Sequence, residues 1–138
     1  MNRLFWRHAE TGFALSDLER PLTARGQQQA QATAQWLLDQ GIDYPIYASE
    51  ALRGQQTAAC YASPHILAGL NPDRGLAPVW QALDAICDTN AIIVGHMPWI
   101  GAAIARHLDI PAPFVGHSEL YWLRHDGHAW QLHTRHPG

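Results

Sequence analysis

Four side chains of this 138-residue chain invite chemistry when read with their neighbours: Arg7, His8, Arg53 and His96. Two guanidiniums and two imidazoles brought to one place describe an anion site, and phosphate suits it best. A guanidinium about 4 Å from a phosphoryl oxygen is worth on the order of 4 kcal/mol per unit charge at an effective dielectric of 20. Two such contacts, tightening as charge moves onto the equatorial oxygens, supply several powers of ten in rate. The same cations disfavour a charged imidazole at His8, so its lone pair stays available for in-line attack on phosphorus. The competing, plainer reading of Arg7-His8 is a strand end that happens to be polar.

The elements decide whether these residues meet. Leu4-Phe5-Trp6 is a short apolar run ending in Arg7-His8, which predicts a buried strand whose carboxyl end opens on a crevice. Residues 11–22 lack a period and contain turn formers, so they read as a loop. Thr23 is expected to cap a helix with Ala30, Ala34, Leu37 and Leu38 on its core face and Gly41 as its stop. Gly26, in the first turn, costs about 1 kcal/mol relative to Ala, which suggests a close backbone approach or helix–strand packing. Tyr44–Ala48 is the second strand, and Ser49 is expected to cap a helix to about Tyr61 with Arg53 one turn inside. His65–Leu70 reads as a short extended piece, 71–75 as a turn, and Leu76–Ile86 as a helix.

Ala91–Val94 is the clearest buried strand. It ends at Gly95-His96, and Pro98 opens a helix whose core face is Ile100, Ala103, Ile104 and Leu108. Glu119–Leu123 and Ala129–Thr134 alternate around Asp126-Gly127, which predicts a closing β-hairpin. Helices alternating with strands imply βαβ units and a mainly parallel sheet, with the hairpin adding an antiparallel edge. Arg7-His8, Arg53 and His96 then each stand just beyond the carboxyl end of a core strand.

Composition narrows the classes. Charged residues are 15% and apolar residues 47% of the chain, an ordinary globular balance expected to form one domain over 1–138. A chain of this size buries roughly 68% of its unfolded surface. The net charge of −3 argues against nucleic acid as a partner, and six tryptophans without a basic stripe read as core and rim packing. There is no run near 18 apolar residues and no secretory pattern, so the expectation is a soluble, cytoplasmic protein that does not engage a membrane. Cys60 and Cys87 lack metal-type spacing and read as buried reduced thiols. His125, His128, His133 and His136 crowd the C-terminus, yet on a hairpin His128 and His133 should face opposite sides. Solvated imidazoles are therefore expected there, rather than a metal site. Ser118 and Glu119 either border the pocket or are ordinary strand residues.

Four stretches, in order, resemble the signatures of the histidine phosphatase superfamily: Arg7-His8-Ala9-Glu10, Leu22-Thr23-x-x-Gly26-x-x-Gln29-Ala30, Ser49-x-x-x-Arg53-x-x-Gln56-Thr57-Ala58 and Val94-Gly95-His96-Met97-Pro98. The compact length and Glu19-Arg20-Pro21-Leu22-Thr23 look most like its small bacterial branch, the protein phosphohistidine phosphatases. The resemblance implies the three-layer α/β, phosphoglycerate mutase-like fold, with a mainly parallel sheet, helices on both faces and a C-terminal hairpin edge. It makes His8 the nucleophile, Arg7 and Arg53 ligands of the phosphoryl oxygens, and His96 a further donor to them in its protonated form. Water then hydrolyses the phosphohistidine. The scheme requires no metal and no other cofactor.

Ala9 departs from the glycine usual after the family's histidine. The general acid is not fixed by the motifs: Asp73 is the nearest candidate, with Glu10 and Glu19 as alternatives. An imidazole leaving group needs less help than an alkoxide, so a site without a strong acid favours phosphohistidine. The chain has no room for the helices with which larger relatives cover the site, which suits a phosphorylated protein substrate, such as a phosphorelay histidine domain. The alternatives are a small-molecule phosphomonoesterase and a non-catalytic module that binds phosphoproteins through Arg7, Arg53 and His96.

Overall fold

The computed structural model of the protein describes residues 1–86 and 88–138. Strands β1 (Asn2–Arg7), β2 (Ile46–Ala48), β3 (His65–Ile66), β4 (Ala91–Gly95), β5 (Leu120–His125) and β6 (Trp130–His136) form one sheet in the order β3-β2-β4-β1-β5-β6. The first four are mutually parallel, while β5 runs antiparallel to β1 and β6 antiparallel to β5. Helices α1 (Ala24–Asp39), α2 (Leu52–Ala59), α3 (Leu76–Asp84) and α4 (Trp99–Leu108) complete the chain.

Central strands buried on both sides read as unbroken apolar runs, and their period of two sorts them between two cores. Leu4, Trp6, Ile92 and Val94 pack with Ala30, Ala34 and Leu37 of α1 and Ala58 of α2. Phe5, Ala91 and Ile93 pack on the other face with Val79 and Leu83 of α3 and Ile100, Ala103 and Ile104 of α4. This is the expected α/β sandwich of three layers with an antiparallel hairpin at one edge. No described helix is long and apolar enough to cross a membrane.

Several local expectations shift. Thr23 caps α1 as read, its hydroxyl accepting from the Gly26 amide, and Gly41 ends the helix region at φ 74°. Leu38, however, is half-exposed and Thr33 takes a core position instead, because the face is centred on 30, 34 and 37. Helix α2 starts two residues later than read, with Ala51 rather than Ser49 at its cap. The Ser49 hydroxyl is engaged elsewhere, and Arg53 is consequently the second residue of the helix. Cys60 is half-buried at the end of α2 rather than in the core, and Cys87 lies outside the described residues. The C-terminal histidines disperse onto separate tryptophans: His125 on Trp130, His133 on Trp122 and His136 on Trp36. Among the described residues no three His, Cys, Asp or Glu side chains converge as a metal site.

Candidate active site

Strands β1, β2 and β4 are parallel, so their carboxyl ends share one edge, and the chain order delivers Arg7-His8, Arg53 and His96 there. Hydrogen bonds fix the segment that leaves β1. The His8 amide donates to the Gly95 carbonyl (3.1 Å), and the Ser118 amide donates to the carbonyls of Arg7 (3.1 Å) and His8 (3.2 Å). The Ala9 amide donates to Thr57 Oγ1 (3.0 Å), whose hydroxyl donates to the Arg53 carbonyl (2.8 Å). One threonine of α2 thus ties the strand bearing His8 to the helix bearing Arg53. Glu10 and Leu22 amides donate to Gln29 and Gln56 side chains, which fastens the next segment and the loop base.

Gly26 is where α1 meets this segment. A Cβ there would stand 2.1 Å from the Glu10 carbonyl oxygen, so only glycine lets the helix lie against the backbone two residues past His8. The close approach suspected from sequence is real.

The His8 and His96 rings lie with centroids 5.1 Å apart. His8 is 6% exposed, and its Nδ1 is 2.8 Å from the Ala9 carbonyl, which can only accept. Nδ1 must therefore carry the proton, leaving the Nε2 lone pair unencumbered. Burial is the largest influence on this ring; with the charges of Arg7 and Arg53 it outweighs the Ala9 hydrogen bond and lowers the His8 pKa to about 3. The imidazole is neutral near pH 7, as a nucleophile requires.

His96 departs from the expected protonated donor. Burial first, then His8, Arg53 and Arg7, lowers its pKa to about 2, so the resting ring is neutral too. Its Nε2 lies 2.7 Å from Ser49 Oγ, and that hydroxyl already accepts from the Ala51 amide (3.1 Å). With the Ser49 proton donated to His96 Nε2, the His96 proton sits on Nδ1, a buried atom without a partner. Ser49, which sequence reasoning took for a helix cap, is thus the hydrogen-bond partner of His96 Nε2.

The arginines differ in their tethers. Arg53 is 5% exposed and donates through Nη1 to the Asp17 carbonyl (2.7 Å) and through Nη2 to the Asp17 carboxylate (3.1 Å). A guanidinium has five N–H groups, so these two contacts leave three. Arg7 is half-buried, donates to the Val115 carbonyl (2.9 Å), and keeps a buried Nε without a partner. Burial and the neighbouring Arg53 pull the Arg7 pKa below its usual value, and the two charges act together on both imidazoles. The site gathers two guanidiniums and two neutral imidazoles with spare N–H groups, an arrangement suited to an anion.

Of the acid candidates, Asp73 and Glu19 are exposed and, among the described residues, form no hydrogen bond or ion pair with the four pocket residues. Glu10 is nearer, its carboxylate accepting from the Thr23 hydroxyl (2.8 Å). Its charge reaches His117, whose ring lies 5.7 Å from His8. His117 was missed from sequence because it sits in a loop with no motif. Ser118 and Glu119 are structural: Ser118 links Trp6 to α1, and Glu119 holds the Gly116 amide and Arg135.

The sequence profile of the histidine phosphatase superfamily, branch 1, matches residues 4–77, more than half of the chain. The chain belongs to that superfamily. Among curated relatives, phosphohistidine phosphatase SixA of Escherichia coli is 30% identical over 118 residues, 77% of this chain and 73% of that protein. An uncharacterised protein of Picosynechococcus sp. is 32% identical over 114 residues, covering 73% of this chain and 69% of the relative. Two solved structures share the superfamily fold. Protein histidine phosphatase SixA in complex with tungstate superposes with a TM-score of 0.85 at 23% identity, over 98% of this chain and 96% of that one. Phosphoserine phosphatase of Entamoeba histolytica with phosphoserine gives 0.73 at 17%, over 97% and 95%.

Proposed function

We propose that this superfamily hydrolase removes phosphoryl groups from phosphohistidine in proteins through a covalent phosphohistidine on its own His8. The observation that carries the reading is the His8 ring, neutral and pinned by Ala9 so that Nε2 is the free nitrogen. Arg7, Arg53 and His96 receive the phosphoryl oxygens. His8 Nε2 attacks phosphorus as the bond to the substrate nitrogen breaks, and the released imidazole takes its proton from solvent. Water then cleaves the His8 Nε2–P bond, giving inorganic phosphate and the resting enzyme. A leaving imidazole makes modest demands on an acid, which matches a site where, among the described residues, none of Asp73, Glu10 and Glu19 has a side-chain hydrogen bond to the four residues and the Asp17 carboxylate is held by Arg53. The likeness to SixA supports the same substrate class.

The test is to quench turnover in alkali and map the label by mass spectrometry. The acid-labile phosphoryl group is expected on His8 of the wild type and absent from His8→Ala. A module that merely binds phosphoproteins would carry no label and release no phosphate. The fold likeness to a phosphoserine enzyme favours a second reading, a small-molecule phosphomonoesterase. Higher kcat/KM on sugar phosphates or phosphoserine than on a phosphohistidine protein would select it.

A further inference from the structure

The pocket mouth is flanked by apolar side chains that the chemistry does not use. Phe13 is 84% exposed, Leu15 99% and Phe114 73%. Isolated exposed apolar residues are commonplace; Leu15 and Phe114 differ in standing on two segments tied to the two site arginines, with Phe13 on the same loop as Leu15. Each tip is anchored to a different phosphoryl-binding arginine. Arg53 holds Asp17, two residues beyond Leu15, so the α-carbons of Leu15 and Asp17 are within about 7 Å. Arg7 holds the Val115 carbonyl, and its Cζ stands 5.6 Å from the Phe114 ring centre. The first loop is closed at its base by the Thr11–Leu22 bridge, the Gly12 amide on the Pro21 carbonyl, and Arg20 Nε on the Gly12 carbonyl. Its tip is thus a built projection that holds Phe13 and Leu15 in water.

We propose that these two tips are a docking collar for the polypeptide that carries the phosphoryl group, and that they grip aliphatic or aromatic residues beside the phosphorylated side chain. The inference rests on the phosphohistidine phosphatase reading and extends it to the partner's surface. The occupant follows from placement: His8 and Arg53 are 6% and 5% exposed, whereas Leu15 and Phe114 stand in water on the segments that Arg53 and Arg7 hold. A small ester fits within the site and leaves the tips wet. A polypeptide that lowers a phosphorylated side chain into the same site must set its backbone down at the mouth, against Leu15 and Phe114. Docking there couples apolar contact to the arginines through the Asp17 and Val115 tethers.

The experiment compares two phosphohistidine peptides of equal charge, one flanked by Leu and Phe and the other by Ser and Gly, alongside p-nitrophenyl phosphate. Wild-type kcat/KM is expected to favour the apolar peptide at least tenfold, about 1.4 kcal/mol, with the difference carried by KM. In the Phe13→Ser/Leu15→Ser double variant the preference should fall to within twofold, while turnover of p-nitrophenyl phosphate is unchanged. Equal rates of the wild type on both peptides overturn the collar and leave the phosphatase reading intact. Cleavage of the ester alone, with neither peptide touched, overturns that reading and the collar with it. Two other outcomes reassign the patch and also sink the inference, if peptide discrimination is absent. One is Leu15-dependent binding to phosphatidylcholine vesicles; the other is a concentration-dependent dimer abolished by Leu15→Ser.

Discussion

Lowering the pH from 8 to 5 should cost this protein stability through the two imidazoles that define its pocket. Unfolded histidine titrates near 6.5, whereas folded His8 and His96 are held at about 3 and about 2 by burial and by the arginines. A depressed folded pKa means that the unfolded chain binds the proton first. The stabilisation is therefore complete above 6.5 and is lost progressively as pH falls toward the folded values. At pH 5 the unfolded ring gains 1.5 pH units of protonation, about 2 kcal/mol for each histidine that must remain neutral. Against a total of about 5–15 kcal/mol for a domain, the pair is a large fraction. His8→Asn isolates one member, because Asn keeps an N–H near the Ala9 carbonyl and does not titrate. Thermal melts of wild type and variant from pH 8 to 5 should converge, the variant gaining roughly 6–8 °C relative to wild type. Parallel curves would refute the argument, since they would mean that His8 protonates as easily folded as unfolded.

Other outcomes follow from the same geometry. Arg53→Ala should lower kcat at least 100-fold, as expected for a lost transition-state charge clamp, while circular dichroism stays native; an unchanged rate removes Arg53 from the site. Gly26→Ala should destabilise by at least about 1–3 kcal/mol in urea melts, because the new methyl collides with Glu10 backbone rather than a pliable side chain. It should also depress activity by moving the segment that bears His8, and a variant as stable as wild type refutes that contact. Ser49→Ala leaves His96 Nε2 without its partner, a cost of about 1–3 kcal/mol. Its phosphate inhibition constant should rise several-fold; an unchanged constant would mean that Ser49 does not orient His96.

Legibility followed physical reach. The buried strands, the Thr23 cap, the closing hairpin and the placing of residues 7, 8, 53 and 96 at strand ends were visible because periodicity, caps and turn chemistry are local. Leu38 and the start of α2 were misplaced for a common reason: which side of a helix turns inward, and which group a serine hydroxyl serves, depend on partners far along the chain. Thr57 was visible only as a motif letter, and its bridging of the Ala9 amide to Arg53 emerges when α2 docks.

The order of residue types along this chain sufficed to single out Arg7, His8, Arg53 and His96 as candidates and to point to the superfamily, because they follow successive strands in motifs that match it. It could not say how those residues are charged. Only folding buries the two rings beside the guanidiniums, points the His8 Nδ1–H at a carbonyl, and hands Asp17 to Arg53 and Val115 to Arg7. Desolvation and Coulomb interaction are properties of distances across the assembled sheet edge, and a linear sequence contains no such distances.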